Sequence, residues 1–304
     1  MSAAADTAAA PRGHRGRILV EDAEVLEVHA HPGEQFIMRL AAPGCAARAS
    51  AGSFVHVRCA ESLPMRRPLS IMRADPEGGW IDLLFKIVGP GTRALAAHRA
   101  GDRLSSMGPI GRGFRPDPAR PRALLIGGGV GIPPMVYLAE TLKDDARAWQ
   151  PLVLMGSELP FPFELTRRGP AAAGMPDGAG SSRAVPDRGV APPRLASQAG
   201  FPGCFDGYVT DLAERWLAGL DPAALDATQV FACGPTPMLK AAAAVARRYG
   251  LPCQVSLEEY MACAVGGCAG CTVLVQLEDG PAMQRVCVDG PVFDAARVFP
   301  NVAG

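Results

Sequence analysis

Two rhythms of apolar positions divide the chain. From Arg17 to about Arg115, short runs rich in β-branched and aromatic residues are broken by turn residues: RILVEDAEVLEVHA, EQFIMRLAA, SFVHVRCA, RRPLSIMRA and WIDLLFKIVG. Runs of this length and spacing predict the strands of a small antiparallel barrel. GTRALAAHRAG then predicts one short helix, with Gly101 just past its end. From Pro121 the rhythm changes. RALLIGGG is an apolar run ending in glycines, PPMVYLAETLKDD is helical, PLVLMGS and QVFACGP are two more buried strands, and PMLKAAAAVARRYG is a second helix. Strands that alternate with helices predict a parallel sheet covered on both faces.

Two stretches follow neither rhythm. The first residues, MSAAADTAAAPRGHRGR, have no apolar core for a secretory signal; their composition loosely resembles an organellar transit peptide, and a short disordered arm is the favoured expectation. Residues 166–201 are rich in Gly, Pro, Ala and Arg without a hydrophobic period, which predicts a mobile insertion rather than a domain.

Composition narrows the class. In 304 residues the 30 Lys and Arg balance the 30 Asp and Glu, so net charge favours neither a nucleic-acid nor an acidic-membrane partner. No run approaches the ~18 apolar residues that span a bilayer. A cytosolic setting is expected, where thiols stay reduced, and the nine cysteines then need another explanation than disulfides. Cys45, Cys59, Cys204, Cys233 and Cys253 are scattered, as small buried hydrophobes would be. Cys263, Cys268, Cys271 and Cys287 are gathered near the C-terminus.

Those four stand as C-x4-C-x2-C-x15-C, the plant-type spacing for a 2Fe–2S centre. Each iron takes two bridging sulfides and two thiolates, so a short loop must curl around the cluster with its amide N–H groups near the sulfurs. Gly266, Gly267 and Gly270 permit that curl, and Ala264 and Ala269 keep the approach clear. A four-thiolate zinc site is the alternative, although such sites usually come as two C-x2–4-C pairs on separate knuckles.

Other motifs suit nucleotides. LLIGGGVGIPPM sets Gly127, Gly128, Gly129 and Gly131 between a strand and a helix, where a backbone free of side chains can approach a pyrophosphate. A tight βα turn would need the same glycines. Beyond the next strand Glu158 offers a carboxylate, which suits a free ribose 2′-hydroxyl and so NAD rather than NADP. Arg67, in RRPLS, can pair with a diphosphate, Pro68 holds the strand extended, and Ser70 can offer a polar group to a flavin edge. Gly89-Pro90-Gly91-Thr92 opens the short helix and forms a second diphosphate seat. A basic edge strand and an ordinary helix start are the plainer readings of these two.

Taken in order, Arg67-Pro68-Leu69-Ser70, the glycine turn from Gly127 to Pro134, and Cys233-Gly234-Pro235-Thr236-Pro237-Met238 resemble the ferredoxin-reductase superfamily. Leu69 stands where an aromatic residue is common. A narrower resemblance, to the electron-transfer subunits of type B dihydroorotate dehydrogenase, rests on RRPLSI, GPGT, MGPIGRGF (Met107 to Phe114), GGGVGIPP and CVDGPVF (Cys287 to Phe293). It spans nearly the whole chain outside the arm and the insertion.

That resemblance implies a ferredoxin-reductase-like fold: an arm at 1–16, an antiparallel β-barrel FAD domain at 17–116, an α/β parallel-sheet nicotinamide domain at 117–252 that carries the insertion, and a small 2Fe–2S domain at 253–304. It implies FAD held by Arg67, Pro68, Leu69, Ser70, Leu84, Phe85, Lys86, Gly91 and Thr92. Nicotinamide would be bound through Gly127, Gly128, Gly129, Gly131, Cys233 and Gly234, and the cluster through the four grouped cysteines. The implied partner is an FMN-containing catalytic subunit that oxidises dihydroorotate in pyrimidine biosynthesis, in a heterotetramer, with electrons passing from that flavin through the cluster and FAD to NAD. The residues themselves suit a relay. All five histidines (His14, His29, His31, His56 and His98) lie before residue 99, in surface or barrel positions, and no cysteine–histidine pair or carboxylate dyad is evident. Small subunits of NADH-dependent ferredoxin:NADP oxidoreductases or sulfide dehydrogenases share this architecture. A zinc-stabilised binding module without redox chemistry is the reading from another class.

Overall fold

The computed structural model describes residues 14–163, 165–166, 175, 181–182 and 193–302. Of the expected arm, all but the last residues lie outside this range, and His14–Arg17 form a 3-10 turn leading into the barrel.

The first unit contains β1 (Leu19–His31), β2 (Gln35–Ala41), α1 (Pro43–Ala46), β3 (Phe54–Val57), β4 (Arg67–Asp75), β5 (Trp80–Lys86), α2 (Pro90–Ala96) and β6 (Arg103–Ile110). Its strands close into a barrel in the order β1-β2-β5-β4-β3-β6, every pairing antiparallel. The five apolar runs of the sequence supply β1 to β5. Closure needs β6, whose alternation is interrupted by Gly108 and Pro109 and carries no strong periodic signal. Val25, Met38, Leu40, Val55, Ile71 and Leu83 fill the interior and are fully buried, each large apolar side chain contributing ~1.5–3 kcal/mol.

The second unit continues with β7 (Arg122–Gly128), α3 (Ile132–Asp144), β8 (Gln150–Gly156), β9 (Leu165–Thr166), β10 (Ser181–Ser182), β11 (Arg194–Ser197), β12 (Phe205–Asp206), α4 (Val209–Ala218), α5 (Pro222–Asp226), β13 (Thr228–Cys233), α6 (Thr236–Arg248) and β14 (Cys253–Ser256). The parallel core of its sheet runs β14-β13-β7-β8-β11. Leu124, Ile126 and Ala232 meet α4 and α6 on one face, while Leu125, Phe231 and Val153 meet α3 on the other. Helix α4 was not legible as an element, yet Leu212, Ala213, Trp216 and Leu217 form its buried stripe.

Two expected boundaries are corrected here. The insertion expected over 166–201 contains β11, whose four residues are all buried and of which Arg194 to Ala196 pair in parallel with β8. RLAS has too few apolar residues to show a period, and its strand character comes from the sheet that covers it. Much of the rest of that stretch lies outside the described residues. The last unit was expected to begin at 253, but β14 belongs to the large sheet and pairs with β13 over Cys253–Ser256.

The C-terminal unit is a hairpin of β15 (Thr272–Leu277) and β16 (Gly280–Arg285), followed by β17 (Val292–Asp294) and α7 (Ala295–Val298). Strand β17 returns antiparallel to β14, tying this unit to the sheet. Phe54 and Ile110 of the barrel share a core with Ala264, Cys271, Val286, Cys287 and Phe293. There the motifs at 107–114 and 287–293 meet: Arg112 N–H donates to the Gly290 carbonyl at 2.6 Å. A β-carbon on Gly111 would overlap Pro291. Arg73 of β4 and Glu140 of α3 form a buried ion pair at 2.7 Å between barrel and sheet. No helix among the described residues is long and apolar enough to cross a membrane.

Candidate functional site

A cavity of about 880 Å³ opens where the three units meet. Strand β4 supplies Arg67, Pro68, Leu69 and Ser70 to its wall, β5 supplies Leu84, Phe85 and Lys86, and α2 supplies Thr92. Gly91 sits beneath this group, and a β-carbon there would lie 2.8 Å from Arg67 Nε. The guanidinium is therefore laid across the first turn of α2 because that position is glycine. Arg67 Nη1 donates to the carbonyls of Met65 and Arg66, at 2.9 and 3.1 Å, which fixes its direction. Thr92 Oγ1 accepts from Val88 N–H at 2.9 Å and closes the loop before the helix. All nine residues expected at the flavin thus come together, eight on the wall and Gly91 behind Arg67. A cradle of this size, apolar along β4 and β5 and cationic at one end, fits a ring system joined to a diphosphate.

The facing wall is formed by Ser256, Leu257, Glu258, Glu259, Tyr260, Met261 and Ala262. The sequence reading singled out none of these. They lack periodicity, and the only available signal was their position directly before the first cluster cysteine. Tyr260 is among the lining residues and is 94% exposed. Glu258 is exposed to the cavity by its surface area, yet the protein around it desolvates its carboxyl and pushes it up.

The same wall runs into the thiol loop, since Gly270 also lines the cavity. Ala264 and Ala269 have φ of 56° and 55°, and Gly266 has φ of 79°, so the loop makes left-handed turns even at two alanines. The thiols come as two pairs. Cys271 and Cys287 are buried with their sulfurs 3.3 Å apart, while Cys268 N–H donates to the Cys263 sulfur at 3.4 Å. Two thiolates at ~2.3 Å on one tetrahedral metal stand about 3.8 Å apart, close to the buried pair. No group of three or more candidate ligands gathers around a single ion position among the described residues. Two separate thiol pairs, three cysteines from one loop and Cys287 from beyond β16, suit a two-iron centre.

The electrostatics of the pairs differ. Burial raises the Cys263 thiol, but the N–H groups of Cys268, Val265 and Gly267 outweigh it and bring it down to about 6. Cys287 is pushed up to about 12 by burial and by its neighbour Cys271. The outer sulfur is therefore the one best prepared to carry negative charge.

The glycine turn lies at the ends of β7 and β13, where Gly127 pairs with Cys233. Its glycines do different work from that expected of all four. A β-carbon on Gly131 would lie 2.5 Å from Gly234 N and strike the Cys233 carbonyl, and one on Gly128 would strike Met238 Sδ. One on Gly127 would reach 3.0 Å from Ile132 Cα. Gly129, with φ of 53°, alone of the four faces open space. Three glycines thus let chain segments pack, and the backbone at Gly129 is left open. Gly234, with φ of 156°, closes over Met238. Cys233 is 1% exposed and off the cavity wall. Burial and then the Glu258 carboxylate push its thiol far up, against a bond from Ser256. Glu158 is exposed two residues past β8.

Comparison with known proteins agrees with this arrangement. Residues 258–299 match the iron–sulfur cluster binding domain of dihydroorotate dehydrogenase B. The electron transfer subunit of dihydroorotate dehydrogenase B (NAD(+)) from Shouchella clausii is 33% identical over 81% of this chain and 85% of its own. That from Desulforamulus reducens is 32% identical over 92% and 98%. Among solved structures, the NADH-dependent reduced ferredoxin-NADP oxidoreductase superposes with a TM-score of 0.71 at 26% identity, over 93% of this chain and 91% of that one. A ferredoxin NADP+ reductase from Neisseria gonorrhoeae with bound FAD and NADP shares the fold, with a TM-score of 0.56 at 17% identity over 76% and 92%.

Proposed function

The chain belongs to the family of dihydroorotate dehydrogenase B electron transfer subunits, and from that premise we propose which of its residues serve each cofactor. As a member it is an oxidoreductase component that uses FAD, a 2Fe–2S cluster and NAD, and it works with a catalytic dihydroorotate dehydrogenase subunit in pyrimidine biosynthesis. When bound, FAD exchanges the two electrons of a nicotinamide hydride for the single electrons that an iron–sulfur centre carries.

We assign the cavity to FAD. Arg67 and the backbone N–H groups of Gly91 and Thr92 hold the diphosphate, Leu69 and Ser70 lie along the ring system, and Tyr260 covers it. The cluster is held by Cys263 with Cys268 and by Cys271 with Cys287. Gly129 and the first turn of α3 receive the nicotinamide dinucleotide, and Glu158 accepts from the adenosine ribose. Residues 17–116 form the flavin unit and 117–256 the nicotinamide unit, while the cluster unit follows with β17 returning to the sheet. Nine cysteines without a disulfide suit the cytoplasm, and the assembly we propose there is a heterotetramer with the catalytic subunit.

One observation carries this reading: the cavity that gathers the flavin residues is walled on its other side by Gly270, inside the thiol loop. Flavin and cluster would then be neighbours, as single-electron exchange requires. The test is reconstitution with the FMN-containing catalytic subunit and an assay of dihydroorotate-driven NAD reduction, with iron, acid-labile sulfide and FAD measured on this chain. A pair that stays inactive while this chain alone reduces ferredoxin would favour the ferredoxin:NADP oxidoreductase reading instead.

A further inference from the structure

Arg66 and Arg67 are neighbours in the chain, and their side chains part. β3 ends at Val57 and β4 begins at Arg67, so Arg66 closes an irregular connection that belongs to no strand. Its guanidinium is nevertheless anchored. Nη1 donates to the His56 carbonyl of β3 at 3.1 Å and to the Ser105 carbonyl of β6 at 2.6 Å. Nη2 donates to Ser105 Oγ at 2.7 Å. All three acceptors are neutral groups on two strands that pair in the barrel.

The two peptide units that meet at Arg66 also carry the acceptors for Arg67. One contributes the Met65 carbonyl and the other the Arg66 carbonyl, and Arg67 Nη1 donates to them at 2.9 and 3.1 Å. Nε and Nη2 of Arg67 are left beside Gly91, in the first turn of α2. Met65 is 45% exposed, so packing does little to hold this end of the connection. A planar peptide turns as one body. Tying the Arg66 side chain to β3 and β6 therefore limits how both carbonyls can move, and with them the Arg67 guanidinium.

We propose that Arg66 is a positioning residue of the flavin site, one that anchors the end of the β3–β4 connection and so keeps the Arg67 guanidinium laid across α2 for the diphosphate of FAD. Arginine suits this task because its planar fork offers several donors in a fixed geometry, and here they reach two strands at once. Arg66 borders the cavity as well, but it acts here through the backbone that it shares with Arg67. The proposal rests on the assignment of the cavity to FAD.

The experiment is a fluorescence titration of FAD into the full chain freed of flavin, run on R66K, R67A and the double variant. Lysine keeps the charge at position 66 and loses the fork. R66K is expected to bind FAD about tenfold more weakly, near the lower end of what losing one charge-assisted hydrogen bond gives. In the R67A background the same substitution should change binding less than about twofold, because the group that it positions is gone. Wild-type affinity in R66K overturns the proposal. So does a tenfold loss that persists beside R67A, which would mark a direct flavin contact or a general loosening of the barrel. If R66K does not fold, S105A decides. Binding about threefold weaker, with the loss absent beside R67A, supports the proposal; wild-type binding, or a loss that persists beside R67A, overturns it. An R67A chain that binds FAD as well as the wild type refutes the diphosphate assignment instead, so the two failures are distinct.

Discussion

Substituting alanine for Gly131 tests whether the nicotinamide site depends on the contact between the ends of β7 and β13. Gly131 has φ of −85°, so alanine meets no conformational penalty there and the effect is purely steric. Its β-carbon would stand 2.5 Å from Gly234 N, with the Cys233 carbonyl also in its path. These are backbone atoms, which cannot swing aside as a flexible side chain can. Ordinary contact begins near 3.4 Å, and the Cys233 carbonyl is nearer still than Gly234 N, so the glycine turn and the Cys233–Gly234 segment must separate by about 1 Å. Overpacking of this kind costs about 1–3 kcal/mol of stability, and a displacement near 1 Å at a reacting geometry costs roughly 100-fold in rate. G131A should therefore fold, keep its FAD and its cluster, and oxidise NADH with an artificial acceptor about 100-fold more slowly. Absorbance gives the flavin and cluster content, and stopped-flow mixing with NADH gives the rate of flavin bleaching. A variant that bleaches at the wild-type rate with full occupancy would refute the claim that this glycine shapes the nicotinamide site.

Three further outcomes are expected. R67A removes the cation laid over α2, and a charge-assisted bond of about 1.5–3 kcal/mol predicts FAD binding weakened roughly 10- to 150-fold by fluorescence titration; a change under twofold would contradict the diphosphate assignment. Glu140→Ala leaves Arg73, only 3% exposed, without its carboxylate, and should lower stability to urea by about 3–5 kcal/mol; a loss below about 1 kcal/mol would show that the pair does not hold barrel to sheet. His56 is fully buried, neither ring nitrogen has a partner of ordinary geometry, and burial with the Arg66 charge pushes it down to about 4. The unfolded chain then binds the proton first as pH falls. Stability is complete above about pH 6.5, and about 3 kcal/mol is lost on the way to pH 4. His56→Gln should flatten that part of the profile in unfolding experiments, and an unchanged slope would show that the imidazole does not set it.

What was legible in the sequence was carried by short-range spacing. The thiol pattern from Cys263 to Cys287 named the four sulfurs that the fold brings into two pairs, because spacing within a short loop limits where its side chains can meet. The apolar runs stated the strands of the barrel and the alternation of the sheet, because side-chain period is a local property of the backbone. RRPLS and the turn at Gly89 to Thr92 stated the polar end of the cavity, although nothing in them says that Arg67 lies on Gly91.

Tertiary structure decided whatever depends on neighbours distant in the chain. RLAS is a strand because β8 lies beside it, and its own side chains gave no period. The segment from Ser256 to Ala262 became a cavity wall only when the return of β17 to β14 set the last unit against the barrel. Three of the four turn glycines are also required for packing, which depends on where Cys233, Met238 and Ile132 arrive. Cys233 lies behind the wall for the same reason. Local pattern is written in covalent order and can be read from it. A site assembled from three units exists only after loop closure has brought them together, and the sequence fixes that meeting collectively, through every buried contact at once.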